Sequence, residues 1–348
     1  MKAKQQAFYD TNRQILQKIV PLIVPFTVQI EASSACNLKC KFCAMSSKRA
    51  LEQRGHVMKN ISDETFVLII EQLKEFSQPI KRVYFCGLGE VLMHHRLPYM
   101  VRSIKENSIT SEVMIFTNAV NLTYEASLAL VEAGLDIITI SVNGLNQGDY
   151  KRNCGRLIDF SKYVEQITFL YKNRGKLRIN LKTVDLCVNS EADRQLFFDT
   201  FGNICDFINI ETIAPLHKGV DYSGNNIKNS QNVSKFSTFN AFKRVCSQPF
   251  YKLIISSLGK INFCDAVYGF PYDNLDIRKQ RLKEIWNGPE HTQLLINSLR
   301  EICEGPSAIC QNCAGKHNLA FEADDLDPYA DEILARLRPS MNTAIIES

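Results

Sequence analysis

Between residues 26 and 211 strand-like and helix-like stretches alternate, and that rhythm leaves the chain few folds to choose from. Apolar and β-branched runs occupy 26–31, 82–87, 112–117, 136–142, 177–187 and 207–211. Helical patterns lie between them. Ser62-Asp63-Glu64 caps a run whose Phe66, Ile69, Ile70, Leu73 and Phe76 share one face. Further helices are expected near 98–106, 123–133 (stopped by Gly134), 160–172 and 192–201. Strand and helix in regular succession predict a parallel α/β sheet with right-handed crossovers. In such sheets the loops after the strands' C-terminal ends build the site.

The first of those loops reads Cys36-Asn37-Leu38-Lys39-Cys40-Lys41-Phe42-Cys43. The spacing C-x3-C-x2-C offers three thiolates within eight residues, which suits an iron–sulfur cube. A cube held wholly by protein takes four cysteines, and no fourth lies nearby. One iron is thus left open to an exogenous ligand. A zinc knuckle or a disulfide pair is the alternative; zinc would want a fourth close ligand. The later loops carry Cys86-Gly87-Leu88-Gly89-Glu90-Val91-Leu92, then Thr117-Asn118, then Ser141-Val142-Asn143-Gly144. Taken singly, each is common turn chemistry.

Together, the cysteine triad and these turns resemble the radical S-adenosylmethionine (SAM) superfamily. The resemblance implies a partial (β/α)6 TIM-like barrel. It also implies a 4Fe–4S cluster on Cys36, Cys40 and Cys43 whose open iron binds SAM. Reduction then yields methionine and a 5′-deoxyadenosyl radical that takes hydrogen from a substrate. Phe42 stands where the family packs an aromatic near the adenine. Gly87, Gly89 and Glu90 match its Gly-Gly-Glu-Pro turn, which grips the methionine amino group, although Leu88 and Val91 depart from it. Thr117 and Asn118 occupy a ribose- or methionine-contacting position. Ser141 and Asn143 match Ser-x-Asp/Asn-Gly, and Arg152 or Arg156 would pair with the methionine carboxylate.

A second group of cysteines follows. Cys246, twelve residues, Gly259, four residues and Cys264 precede Cys303, Cys310 and Cys313. This resembles the SPASM or shortened twitch extension of the same superfamily, with a β-hairpin at 252–263 and a helix at 282–287. No cysteine follows Cys313, so the resemblance implies one auxiliary 4Fe–4S cluster on Cys246, Cys264, Cys310 and Cys313. Cys303 is a substitute ligand or a spare. A zinc ribbon has the same ligand number and softness. The expected organisation is a helical lid at 1–25 (helix 3–20) and a barrel core at 26–215. An Asn- and Ser-rich linker or substrate-facing loop follows at 216–243. The auxiliary domain takes 244–320, and a terminal helix and tail 321–348.

A net charge of +4, with both signs interleaved, gives no reason to expect nucleic acid binding. The apolar stretch 19–26 is short and holds Pro21 and Pro25, so no membrane span is expected. Twelve cysteines without a secretory signal suggest metal ligands in a reducing cytoplasm. Among enzymes with one auxiliary cluster, the resemblance favours oxidation of an alcohol on a small carbohydrate- or aminocyclitol-like substrate. That cluster would take the second electron, and flavodoxin or ferredoxin would supply the first. Only 35 residues precede Cys36, whereas a fused peptide-binding domain would need ~50 or more; peptide or protein maturation is therefore the second choice. A radical epimerase is the third, with Cys187, or else Cys154 or Cys303, returning hydrogen. Such cysteines are also ordinary buried residues. Arg178, Lys182, Asp185 and His217 are candidates for the base that takes the hydroxyl proton. A plain electron carrier would leave the glycine and Ser-x-Asn-Gly turns without a purpose.

Overall fold

The computed structural model describes residues 1–6, 13–53, 55–213, 219–222, 234–235, 243–264, 274–311, 313, 315–318 and 321–344. Its strands are β1 (Lys4–Gln5), β2 (Thr27–Ile30), β3 (Arg82–Phe85), β4 (Val113–Thr117), β5 (Ile137–Ser141), β6 (Arg178–Val184), β7 (Phe207–Glu211), β8 (Lys252–Ile255) and β9 (Ile261–Asn262). The helices are α1 (Lys48–Gln53), α2 (Asp63–Leu73), α3 (Leu97–Glu106), α4 (Tyr124–Glu132), α5 (Gln147–Cys154), α6 (Phe160–Asn173), α7 (Glu191–Phe201), α8 (Leu282–Trp286), α9 (Pro289–Leu299), α10 (Gly315–Asn318) and α11 (Ala330–Ala344). The six expected barrel strands are β2 to β7. They pair in sequence order, all parallel, so the partial barrel is present and stays open.

Alternation along each strand sorts the two faces. Ile138 and Ile140 of β5, Ile179 and Leu181 of β6 and Ile208 of β7 pack into the core beneath the helices. Thr139, Asn180, Lys182, Asn209 and Glu211 therefore lie on the inner face. The register sets them side by side: Thr139 opposite Asn180, Ser141 opposite Lys182, Lys182 opposite Asn209. A parallel sheet buried on both faces normally reads as near-continuous apolar runs. Polar residues on the opposite face mark a surface that is not simply packed.

The sheet does not stop at the barrel. β8 pairs parallel with β2, and β9 returns antiparallel beside it, so the hairpin expected at 252–263 extends the barrel's own sheet. Buried Gln72 on α2 fastens the next segment, donating to the Ile277 carbonyl (2.8 Å) and accepting from the Leu282 amide (2.9 Å). The expected helix near 282–287 is α8, and its Trp286 indole donates to the Leu22 carbonyl (2.8 Å).

The N-terminal helix expected over 3–20 does not form across the described part of that stretch. Lys4 and Gln5 form β1 instead, paired with Phe207 and Ile208, and Leu16–Lys18 is one 3-10 turn. The open edge of β7 presents unpaired amides and carbonyls, and a short extended segment satisfies them as a helix could not. Leu16 and Val20 instead pack with Leu295, Ile296, Leu299, Ile333 and Leu337. α11 supplies the terminal helix expected within 321–348. The linker expected at 216–243 and His217 fall mostly or wholly outside the described residues.

α7 opens with a capping box: Ser190 accepts from the Asp193 amide (3.1 Å), and Asp193 accepts from the Ser190 amide (3.1 Å). Ser190→Ala should cost about 1 kcal/mol. Urea unfolding of the two proteins in parallel measures the difference, and equal midpoints would show that the cap contributes nothing.

Candidate active site

The cysteine loop is clamped by the loops that follow β3, β4 and β5. From β3's side, the Glu90 amide donates to the Ala35 carbonyl (2.8 Å). From β4's side, Asn118 donates its side-chain amide to Asn37 Oδ1 (2.7 Å), and Asn37 in turn donates to Asn121 (3.0 Å). From β5's side, the carbonyls of Asn153 and Cys154 accept the amides of Lys41 (2.9 Å) and Lys39 (3.0 Å). Arg156 also reaches the Asn37 carbonyl (3.2 Å). The sequence motifs thus converge on one place, each on the loop its position predicted.

The glycines serve close approach. A Cβ at Gly89 would stand 2.1 Å from the Ser33 carbonyl oxygen and 2.6 Å from that of Ala35. One at Gly87 would stand 2.5 Å from Glu31 Cγ. Leu88, where the resembled motif has glycine, is buried with Ala44, Met45 and Ala50 against Cys36 and Cys43. An apolar contact there holds the loop by packing.

Glu90 is buried, and its carboxylate is engaged by three donors. Leu92 N (3.0 Å) and the Thr117 hydroxyl reach Oε1, and Asn118 N (2.7 Å) reaches Oε2. Burial raises its pKa above the ordinary carboxylate value, against the lowering effect of those bonds. Thr117 and Asn118 therefore tie Glu90 to the end of β4. Phe42 is half-buried, and its carbonyl accepts from Tyr222 (3.3 Å). Ser141 sits half-buried at the end of β5. Asn143 turns its side-chain amide to Cys40 Sγ at 3.7 Å. Arg152 points outward, 69% exposed and paired with Asp149, while Arg156 faces the cysteine loop.

Cys36, Cys40 and Cys43 are half-buried, and all twelve cysteines are unbridged. Burial pushes the Cys36 thiol up to about 12, with Glu90 and the other cysteines adding to it. Cys40 is raised by its contact with the Cys154 thiol first and by burial second. Such thiols ionise only when a metal centre compensates the charge. Three of them on one loop, with the Gly89 turn pressed against its base, fit a three-cysteine iron–sulfur cluster.

In the second group, Cys246 lies within electrostatic reach of Cys313 and Cys310, and Cys310 within reach of Cys313 and Cys303. Burial pushes Cys246 up to about 12. Cys264 follows β9 at the foot of the hairpin. Among the described residues no three His, Cys, Asp or Glu side chains converge on one metal-ion position. A multi-iron cluster spreads its thiolates over several irons and asks for no such convergence.

The sequence reading missed Glu31, Glu211 and the contact that Cys154 makes. Cys154 is buried, its sulfur 3.5 Å from Cys40 Sγ. Glu31 accepts from Leu88 N (3.1 Å), Ser257 N (3.2 Å) and the Ser257 hydroxyl (3.1 Å), joining the glycine turn to the β8–β9 hairpin. Glu211 pairs with Lys182 at 2.7 Å on the inner face. Period-two alternation along β6 and β7 could have exposed that pair. Among the proposed bases, Arg178 instead pairs with Glu112 (2.7 Å), and Asp185 accepts amides of its own turn and of Ile213. Cys187 is buried after β6, and burial pushes its thiol up to about 12.

Residues 30–188 match the family model described as the radical SAM superfamily, and residues 246–314 match SPASM, an iron–sulfur cluster-binding domain. A tungsten-containing aldehyde ferredoxin oxidoreductase cofactor-modifying protein of Pyrococcus furiosus is 27% identical over 48% of this chain and 45% of its own length. A GTP 3′,8-cyclase of Chlorobaculum tepidum is 34% identical over 34% of this chain and 33% of its own. The chain spans about half the length, or less, of these curated relatives. The fold also matches BtrN solved with AdoMet and 2-DOIA, at TM-score 0.52 and 20% identity, over 83% of this chain and 93% of that one. It matches Streptococcus suis SuiB solved with S-adenosylmethionine at TM-score 0.59 and 16% identity, over 80% and 69%.

Gly89→Ala should disturb the cysteine loop, because the added methyl meets two backbone carbonyls that have no flexible end to yield. The expected result is a clear loss of iron bound on anaerobic reconstitution and a lower thermal midpoint. Wild-type iron content and an unchanged midpoint would show that the turn gives way freely.

Proposed function

We propose that this chain, which belongs to the radical SAM superfamily and carries its SPASM iron–sulfur extension, oxidises an alcohol on a small carbohydrate- or aminocyclitol-like substrate. When bound, SAM at the open iron supplies a 5′-deoxyadenosyl radical, and the extension's cluster can take up the second electron. The cluster's residues are Cys36, Cys40 and Cys43. The SAM-facing positions are Phe42, Gly87, Gly89, Glu90, Thr117, Asn118, Ser141 and Asn143, with Arg156, rather than Arg152, in the carboxylate-pairing role. Cys246, Cys264, Cys310 and Cys313 would hold one auxiliary cluster.

The observation that carries the substrate reading is the inner face of β5, β6 and β7. Asn180 donates to the Thr139 hydroxyl (3.2 Å), while its buried Oδ1 has no partner among the described residues. A buried acceptor without a partner costs free energy until a donor meets it, and a substrate hydroxyl or ammonium is such a donor. Nearby, Lys182 and Glu211 form a mostly buried pair. Burial raises the Glu211 pKa, but Lys182 and Lys235 outweigh it, and the net shift is downward. Glu211 is thus ionised at neutral pH and can receive the hydroxyl proton. Balance requires that the alcohol carbon give up a hydrogen atom, its oxygen a proton, and the resulting radical one electron.

Peptide or protein modification is the second reading, since a fold neighbour, SuiB, was solved with its precursor peptide. A peptide side chain carrying a hydroxyl or amine could use the same inner-face donors.

Anaerobically reconstituted protein should hold about eight irons, as two four-iron clusters require. With dithionite and SAM it should release 5′-deoxyadenosine. The Cys36, Cys40 and Cys43 triple alanine variant should keep about four irons and release none. Continued SAM cleavage by that variant would sink the assignment, and about four irons with one zinc in the wild type would give the second cysteine group to zinc.

Oxidation and epimerisation part in heavy water. With a turned-over substrate, product mass should fall by two hydrogens and no deuterium should enter carbon. An unchanged mass in ordinary water, with one deuterium gained in heavy water and lost in Cys187→Ala, would reject oxidation. It would name Cys187, whose raised pKa keeps it a thiol at neutral pH, as the hydrogen donor.

A further inference from the structure

Two buried side chains outside the thiolate triad point at one of its sulfurs. Asn143 Nδ2 stands 3.7 Å from Cys40 Sγ, and the Cys154 sulfur stands 3.5 Å from it. Both stand on backbone that is tied in place. The backbone amide of Asn143 donates to the Tyr150 hydroxyl (3.4 Å), and its backbone carbonyl accepts from the Asn153 side chain (2.8 Å). Cys154 is the last residue of α5, closed by Gly155 at φ +71°, a left-handed cap that suits glycine. The Cys154 carbonyl is bonded to the Lys39 amide, one residue before Cys40. The cysteine loop and the backbone that carries the two side chains are therefore tied together.

We propose that Asn143 and Cys154 donate hydrogen bonds to the Cys40 thiolate and raise the reduction potential of the cluster that Cys36, Cys40 and Cys43 hold. The inference rests on that cluster being there. A thiolate has no proton to give, so the Cys154 S–H becomes the donor of the sulfur–sulfur contact, and the Asn143 amide is a donor in either state. Hydrogen bonds to ligating sulfurs are among the levers that set cluster potentials. Their direction follows from charge: reduction adds an electron, part of it on sulfur, and a donor stabilises the more negative state. Reduction of this centre starts the chemistry, so a potential nearer the reach of the physiological reductant has a direct use. Asn143, assigned from its motif to a cofactor contact, thereby gains a second role as a positioning and tuning residue. Cys154, on its own an ordinary buried residue, gains a role at all.

The experiment is a potentiometric titration followed by electron paramagnetic resonance, with SAM absent so that no turnover is involved. Iron content and cluster absorbance first establish that the cluster has loaded. A failure there concerns the cluster assignment; a failure in the potential concerns only this inference. The wild type is compared with Cys154→Ala and Cys154→Ser. At fixed applied potential the alanine variant should show a several-fold lower reduced-to-oxidised ratio, toward the tenfold that corresponds to 59 mV for one electron. The serine variant should match or exceed the wild type, because its hydroxyl donates more strongly than a thiol. A residue needed only for packing would behave in reverse, since alanine suits an apolar pocket better than serine. An unchanged ratio in loaded Cys154→Ala overturns the proposal, as does an equal fall in both variants. If the alanine variant does not load, serine decides alone: a ratio at or above wild type supports the proposal, and a lower one overturns it.

Discussion

The approach of Gly89 to the carbonyls of Ser33 and Ala35 governs the geometry of the whole C-terminal end of the barrel. At that separation no side chain fits, so the turn after β3 and the start of the cysteine loop are in backbone contact. The Glu90 amide then reaches the Ala35 carbonyl, and the Glu90 carboxylate gathers Thr117 and Asn118 at the end of β4. Asn118 passes the constraint back to Asn37 inside the cysteine loop. The result is a closed ring of contacts in which each motif holds the next. Moving any one of them displaces the thiols.

A second consequence of the fold is that the extension is not an appendage. β8 completes the hydrogen bonding of β2's outer edge, so the hairpin and the barrel share one sheet. Glu31 lies on that seam, with one carboxylate oxygen on the glycine turn and the other on Ser257 of the hairpin. Burial raises its pKa, and these three bonds oppose the rise. A carboxyl group buried at this cost and bonded on both sides joins the glycine turn to the extension. The hairpin at the start of the SPASM-matching region is thereby fastened to the turn after β3.

The inner face gives the barrel its chemical character. Helix-facing positions are filled by Ile and Leu, which settle packing and register. Facing positions on β5, β6 and β7 carry an amide, a hydroxyl, an ammonium and a carboxylate. Lys182 is held between the Glu211 carboxylate and the face of Phe116, 6.0 Å from its centroid. Ion pairs of this depth bring little net stability, because desolvating two charges offsets most of their attraction. Their presence on a strand face that could have been apolar is not explained by stability.

Periodicity and spacing within the sequence determined the six parallel strands, the cysteine triad, and the order of the glycine and asparagine turns, while the hairpin of the extension was expected from the family resemblance. These are local signals, since strand alternation, turn residues and cysteine spacing are written in consecutive residues. The tertiary structure alone decided four things. Residues 4 and 5 became an edge strand because β7 had an edge to fill. The hairpin joined the barrel because β2 had another. Arg152 turned to Asp149, on its own helix face, while Arg156, past the Gly155 cap, faced the cysteine loop. Cys40 met Cys154, and Lys182 met Glu211, across 114 and 29 positions of chain. Partners so far apart in sequence are chosen by register and by the docking of one loop on another; strand alternation hints at the second pair, and nothing near Cys40 or Cys154 in the sequence records the first.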